Sequence, residues 1–570
     1  MTNTLGTADY IVLIGYFLLM LAIGIYFYRY MKGMKDYFSG GNRIPWWLSG
    51  ASYYMSSFSV FAFVAYSAMA YKYGFVTIVL LTSSIYGVLF SLLVMAKRWR
   101  RARIDSPIEY LEARFSPALR QIFAWQGLPL RIIDDALKLV AIGLFISAGL
   151  GLDLYQSVLW SGLIMLTYTM LGGLWAVTVT DFVQFVVMIV AMVILVPLSI
   201  QESGGFSAAF TNLPSGHFKF FHPPEYDLLY YFTQIVLIVL AYSSINWSLI
   251  QRFYSVPNEK ETTKLGWFVI ILFIIGTPIM MLPALLAPNY LTLGPEQDGM
   301  VYALLAVKLL PTGLIGLVIA AMFAATMSML SSDYNVAASV LTNDVYLRLI
   351  RKNASQKELV FIGRVMTIVV GLCSLGIALF MLNLGGEGLF RGMMQLFSIF
   401  TAPVAIPMIF GLVSKKLNKN GALTAFLLSF IFGIILFFTL SDETQIGAMV
   451  IKREVFIMFG TTILAVIGIY IGSMIPTTQK EEKKANLFMK RLEIPIGKMS
   501  GDMASSEGGS AALSPFRIIS VSLIYIGLLL LIILFFVPKG ISFYMDLSIG
   551  LLLVIIGSVG MLKTKNIHLT

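Results

Sequence analysis

Long apolar blocks separated by short polar ones leave this chain few architectures. Fifteen blocks approach or exceed the ~20 residues that a bilayer-spanning helix needs. They run roughly over 8–28, 46–70, 75–96, 121–149, 154–176, 178–200, 227–250, 265–288, 311–346, 358–382, 388–413, 421–440, 454–475, 517–537 and 542–562. Of the 570 residues, 58% are hydrophobic and 12% charged, about half the charge of an ordinary soluble domain. The pattern predicts an all-α polytopic membrane protein with about 15 transmembrane helices, embedded in a lipid bilayer. A transmembrane β-barrel is excluded, because its strands alternate polar and apolar over ~10 residues.

The basic residues orient the chain. With the N-terminus outside, the inner loops contain "RYMKGMK", "KRWRRAR", "RLIRKN", "SKKLNK" and "KEEKK", and the outer ones are neutral or acidic, such as "GPEQD" and "SDET". About 29 of the 40 Lys and Arg then fall inside and about 7 outside, the asymmetry of the positive-inside rule. This predicts a plasma (inner) membrane protein with the N-terminus outside and the C-terminus cytoplasmic. The net charge of +11 belongs to loops facing anionic lipid. It does not point to nucleic acid, since the basic segments are short and lack interleaved aromatics. The first span follows "MTNTLGTAD" without the flank or cleavage site of a signal peptide and is expected to be a retained helix.

Catalytic and metal signatures are absent. The single cysteine, Cys373, allows neither an intramolecular disulfide nor a cysteine metal cluster. His217 and His222 share one loop, where a solvated surface pair is expected, and His568 is near the end of the chain. There is no HExxH, no P-loop and no organic-cofactor motif, so the chain is not expected to be an enzyme.

Within one apolar block stands "AATMSMLSSDYN", residues 324–335. Hydroxyls in a membrane helix can bond to their own backbone. A carboxylate such as Asp333 is costly at that depth and marks a functional position. Asp181, after Thr178 and Thr180, is a second acid inside a span, and "LRIIDDALK" places Arg131, Asp134, Asp135 and Lys138 in a third.

These segments resemble the sodium/solute symporter family, which includes bacterial sodium-coupled sugar, proline and sialic acid transporters and animal sodium-glucose transporters. "DYFSGGNRIPWW" (36–47), "SPIEYLEARFS" (106–116), "YTMLGGLWAVTVTDFVQ" (168–184), "NWSLIQR" (246–252), "AATMSMLSSDYN" with "LTNDVY" (341–346), and "GLVSKKLNKNGA" (411–422) occur in the family's order. The resemblance implies a LeuT-type five-plus-five inverted repeat, with one leading and about four trailing helices. The division is then 1–45 for the leading helix and first cytoplasmic loop, and 46–422 for the core, with repeats about 46–200 and 227–413. Residues 423–570 hold the C-terminal helices, with 476–516 as a flexible cytoplasmic linker.

The resemblance also implies Na+ as coupling ion. Its ligands would be the carbonyls of Met55, Phe58 and Ala325 and the hydroxyl of Ser328. Met329 stands where the family usually has Ser or Thr, and a thioether is a poor ligand for a hard cation. Asp333, one turn on, is expected either to approach the ion or to face a cytoplasmic vestibule. Asp181 is expected to be ion-linked, with interaction at a helix start as the alternative.

For the substrate, the polar positions of the galactose branch fall on Ala62, Leu81, Phe273 and Met394, and only Asn246 is kept. Ser57, Ser59, Ser84 and Gln395 are the other candidates. Arg131 resembles, about one turn out of register, an arginine that holds a carboxylate in the sialic acid branch. The alternative is a network in which Arg131 pairs with Asp134 and Asp135, and both with Lys138. The expected function is a sodium:solute symporter that imports a small polar solute, a sugar or organic acid, as a monomer or weak oligomer. The alternatives are a proton-coupled symporter of the same fold and a transporter-like sensor.

Overall fold

The computed structural model describes residues 6–28, 40–57, 59–104, 109–171, 174–294, 297–311, 313–382, 386–446, 449–499, 515–537 and 539–567. The regular structure is nearly all helical, as backbone buried in hydrocarbon requires. Polar caps mark the starts. Ser116 accepts from the Leu119 amide just ahead of Pro117, and the helix Pro117–Leu150 runs on to Gly151, which takes the left-handed conformation at φ 67°. Asn258, Ser355 and Asn418 cap Glu259–Leu286, Gln356–Phe380 and Lys419–Thr439 in the same way.

Among the described residues, twelve helices are long and apolar enough to cross a membrane, or thirteen if Pro117–Leu150 and Leu154–Thr167, bent by 119°, count as one span. Three expected spans fall outside the twelve. The 46–70 span is interrupted, and 121–149 and 154–176 form the bent pair. Arg131, Asp134, Asp135 and Lys138 keep Pro117–Leu150 from being uniformly apolar.

The helix Leu314–Val340 is almost wholly buried at the centre of the bundle and continues to Ile350 as a wider, partly exposed π-turn stretch. Thr7–Tyr28, Pro117–Leu150, Leu154–Leu171, Leu174–Glu202 and Gln356–Phe380 pack around it. The first helix fixes its start. Asp9 Oδ1 accepts from Gly313 N at 2.8 Å and Gly316 N at 2.7 Å, a carboxylate on a helix N-terminus. The backbones approach so closely that a Cβ on Gly316 would lie 2.5 Å from the Asp9 carbonyl oxygen.

Two helical segments are interrupted. Trp46–Met55 stops, and the chain resumes as helix at 62–73 through a π turn, Ala62–Tyr66. Leu228–Leu240 ends in the π turn Ala241–Ile245, breaks at Asn246 (ψ 86°) and resumes as Trp247–Ser255.

Three expectations need correction. The 476–516 stretch is not a loose linker throughout. Thr478 and Glu481 form a capping box, and Gln479–Glu493 is a helix that buries Phe488, Met489 and Leu492, with Phe488 stacked on Tyr110 at 5.9 Å; 500–514 lie outside the described residues. His217 is buried rather than solvated, its carbonyl accepting from Phe75 N at 2.7 Å. The all-helical expectation also misses a short antiparallel hairpin, Glu443–Ile446 with Met449–Lys452.

Candidate functional site

A helix end leaves its last carbonyls short of i+4 amide partners. At the first interruption the carbonyls of Ser52, Tyr53 and Tyr54 accept from Ser56 N at 2.8 Å, Ser57 Oγ at 2.8 Å and Ser57 N at 3.1 Å. The Met55 carbonyl has no such partner among the described residues. Beyond the break, Val60 N donates to Thr326 Oγ1 at 3.0 Å and Phe61 N to Ser59 Oγ at 3.2 Å. A hydroxyl of the central helix therefore holds the restart.

The second interruption is held by other helices. The Ile245 carbonyl accepts from Arg131 Nη2 at 2.5 Å, and the Ser243 carbonyl from Trp99 Nε1 at 3.0 Å. The Arg131 guanidinium also sits 4.9 Å from the Trp247 ring, a cation–π contact.

The first of two buried charge clusters centres on Arg252. Its Nε donates to Ser52 Oγ at 2.9 Å, and its Nη2 reaches Asp181 Oδ2 at 3.2 Å, Ser56 Oγ at 3.2 Å and Ser332 Oγ at 2.7 Å. Its Nη1 reaches the Ser248 carbonyl and Gln251 Oε1. Ser52 Oγ also donates to Asp181 Oδ2. One guanidinium thus ties the first interrupted segment to the Leu174–Glu202 helix, the restart of the second segment and the central helix. Two oxygens are left over. Asp181 Oδ1 and Ser328 Oγ are buried and have no partner at good hydrogen-bonding geometry, although the Ser328 hydroxyl is near enough to the Asp181 carboxylate to interact with it. Unsatisfied buried oxygens of this kind suit a small hard cation.

The second cluster centres on Lys138. Its ammonium contacts Asp134 Oδ2 at 2.8 Å, Asp135 Oδ1 at 2.9 Å and Asp333 Oδ2 at 2.8 Å. The contacts with Asp135 and Asp333 are hydrogen bonds and the one with Asp134 is an ion pair, so the ammonium is shared among three carboxylates. Asp333 Oδ1 accepts from Arg131 Nη1 at 2.7 Å.

Next to this cluster, lined from both interruptions, lies a cavity of about 130 Å³. Ser57, Ser59, Ser84, Gln234 and Asn246 supply neutral polar lining, Asp134 and Lys138 charged lining, and Phe61, Tyr66, Tyr242 and Phe397 aromatic walls. A smaller space of about 30 Å³ lies on the other side of Asp134, Asn246 and Phe397, which line both.

The structure brings Ser328 and Asp181 together near the end of Trp46–Met55, and Ala325 is buried one turn before Ser328 on the same helix. Phe58 lies outside the described residues. Asp333, a candidate ion ligand, has both oxygens taken by Lys138 and Arg131. Met329 lines the cavity. Of the substrate candidates, Ser57, Ser59, Ser84 and Asn246 line the cavity, whereas Gln395 does not. Arg131 lines the smaller space and pairs with Asp333, not with Asp134 or Asp135 as expected. The reason is geometric: Lys138 lies at i+4 and i+3 from the two aspartates and takes both. Ala62 and Leu81 are apolar parts of the cavity wall. Arg252 and Gln234 were missed. An arginine inside a helix start and a lone amide within "YYFTQIVLIVL" were the available signals.

The family model for the sodium:solute symporter family matches residues 37–429. The chain is 26% identical over 448 residues to the sodium/sialic acid symporter SiaT of Proteus mirabilis, covering 75% of this chain and 88% of that one. It is also 26% identical over 475 residues to the mouse sodium/glucose cotransporter 1, covering 75% and 71%. A solved structure of a Na+-coupled sialic acid symporter, substrate-bound and outward-open, superimposes with a TM-score of 0.70 at 23% identity, covering 83% of this chain and 99% of that one. This likeness places the two proteins in one fold. The matched span covers both interrupted segments, both charge clusters and the cavity, and the chain belongs to the sodium:solute symporter family.

Proposed function

We propose that this integral membrane protein imports a small polar solute, a sugar or organic acid in size and polarity, by coupling it to Na+ in an alternating-access cycle. The core, 46–422, is a five-plus-five inverted repeat with halves about 46–200 and 227–413, and the trailing helices occupy 423–570. The N-terminus lies outside and the C-terminus in the cytoplasm.

One observation carries this reading: two interrupted helical segments, 46–73 and 228–255, line one cavity, and their freed backbone groups are held by side chains of other helices. Paired interruptions in corresponding places are the signature of transporters built from inverted repeats. Na+ sits between Ser328 Oγ, Asp181 Oδ1 and the Met55 carbonyl, the unsatisfied oxygens on three facing helices. The named sialic acid and glucose relatives support sodium coupling and the size of the solute.

The test is uptake into proteoliposomes, driven by an inward Na+ gradient, for a panel of labelled sugars, organic acids and amines. Ser328→Ala should raise the Na+ concentration for half-maximal uptake about tenfold, a loss of ~1.4 kcal/mol. Met329→Ser should lower it or leave it unchanged. Wild-type sodium dependence in Ser328→Ala removes the ion from this position. A proton-coupled cycle has one observation in its favour: Asp135 Oδ2 is fully buried and has no partner. Uptake that follows a pH gradient and ignores Na+ would select it.

A further inference from the structure

The second charge cluster has consequences for the solute. Its two cations are already engaged, Lys138 with the three carboxylates of Asp134, Asp135 and Asp333 and Arg131 through two of its five N–H groups. Arg131 is bound to Asp333 and the Ile245 carbonyl, and its face covers Trp247. A substrate carboxylate arriving in the large cavity meets Lys138 already in contact with three carboxylates, while Arg131 lies on the smaller space.

The acids differ from one another. Asp333 has both oxygens taken. Asp135 is fully buried and lines neither the large nor the small space. Asp134 lines both, and its Oδ1 has no partner among the described residues, since Lys138 takes only Oδ2. Asp134 is 8% exposed and lines the cavity, so its carboxylate is reached from the cavity rather than from bulk water. A second acceptor stands on the cavity wall: Gln234 is 2% exposed, its amide nitrogen donates to Tyr66 Oη at 3.2 Å, and its Oε1 has no partner.

Three carboxylates and two cations make up the cluster, so it carries one negative charge in excess with all groups ionised and is neutral with a proton on one carboxylate. The carboxylate with an open oxygen is the one a solute meets. It also stands, with Asn246 and Phe397, between the two spaces. A solute passing from one to the other crosses it.

Resting on the symport reading above, we propose that the transported solute carries a protonated amine and that Asp134 Oδ1 is its anchor. A charge-assisted hydrogen bond from an ammonium to this oxygen completes the pairing that Lys138 leaves unfinished. Gln234 Oε1 and the serine hydroxyls accept or share the remaining polar hydrogens. This narrows the solute of the symport reading: a carboxylate without an amine would face Asp134 beside an ammonium that already contacts three carboxylates.

Matched probes that differ in this one charge provide the test. Purified full-length protein is titrated in Na+ buffer at pH 6.5 with glucosamine and N-acetylglucosamine, with lactate and alaninamide, and with N-acetylneuraminate, and binding is read by calorimetry. The expected result is that at least one amine binds and that its neutral or anionic counterpart binds at least tenfold more weakly. Asp134→Asn should erase that preference, and it should leave Na+ binding in place. Two results overturn the proposal. In one, neutral or anionic probes bind as well as the amines. In the other, Na+ binds and no amine does. Both can be read on the wild type, so a poorly folding variant does not shelter the idea. Failure of Na+ itself to bind, with amine preference intact, would instead remove the sodium reading and leave the amine site standing.

Discussion

The two buried charge clusters use the same ingredients and differ in what they leave over. Around Arg252, one acid meets one base, and three serine hydroxyls fill the guanidinium's remaining valence. What is left is a pair of small buried oxygens, Asp181 Oδ1 and Ser328 Oγ. Around Lys138, three acids share two bases, and what is left is a buried Asp135 oxygen and the Asp134 carboxylate on a cavity wall. A desolvated charge costs several kcal/mol unless it is paired. A cluster therefore becomes a binding site where its pairing is incomplete, and the size of the remaining space decides whether an ion or a solute completes it.

The sharpest way to break this comparison is to remove a hub. Arg252→Met strands Asp181 and the hydroxyls that surround it. Breaking one partner of a buried pair costs roughly 3–5 kcal/mol, so folded protein in detergent, measured by size-exclusion chromatography and thermal unfolding, should fall steeply. Arg252→Met with Asp181→Asn should recover folding without recovering sodium dependence. Recovery of both would mean that Asp181 has no part in ion binding.

Arg131 gives the second test, slightly weaker because part of its work is capping the Ile245 carbonyl. Arg131→Ala should lower stability by about 3 kcal/mol or somewhat more. Adding Asp333→Asn should recover more of that loss than adding Asp134→Asn, because Asp333 is the partner. Equal rescue by both would contradict the separation of Asp134 from Arg131.

Much of this was legible in the sequence. The apolar blocks show where helices run, since backbone in lipid has to bond to itself. "AATMSMLSSDYN" and "LRIIDDALK" place the charges on two helices. Their pairing was not legible. Spacing along one helix suggests that Arg131 meets Asp134 and Asp135, yet the partner it finds is 202 residues away. Asp333 looked like a spare ligand for the ion because Met329 lacks an oxygen. Only the packing of Pro117–Leu150 against Leu314–Val340 reveals that two cations occupy it. The helix at Gln479–Glu493 was hidden for another reason. Its strongly polar composition reads as solvated chain, and the three apolar side chains that dock it are sparse.

A third prediction concerns orientation, which sets the side each cluster is reached from. Single cysteines at Lys219 and Lys490, both in exposed loops or helices, should label oppositely in whole cells, with position 219 reached from outside and position 490 not. The reverse pattern would invert the topology.

The smallest expected effect is at the base of the central helix, where Arg120 and Arg348 both contact Glu112. Burial works to raise the Glu112 carboxyl, but Arg348 and then Arg120 outweigh it and hold it below the usual range. Its contribution is present above the unfolded-state value and is lost as pH falls through the lowered one. Glu112→Gln should therefore cost no more than ~1 kcal/mol near neutral pH, with the difference from wild type vanishing in acid. A loss that persists in acid would assign Glu112 a role other than this ion pair.

The most direct measurement of the division between ion and solute is Na+ titration of purified wild-type protein, Ser328→Ala and Asp134→Asn, read by intrinsic tryptophan fluorescence or calorimetry in solute-free buffer. The account predicts that Ser328→Ala weakens Na+ binding about tenfold, a change of ~1.4 kcal/mol, and that Asp134→Asn leaves it within a factor of two to three. Unchanged binding in Ser328→Ala with loss in Asp134→Asn would move the ion to the Lys138 cluster and contradict the account.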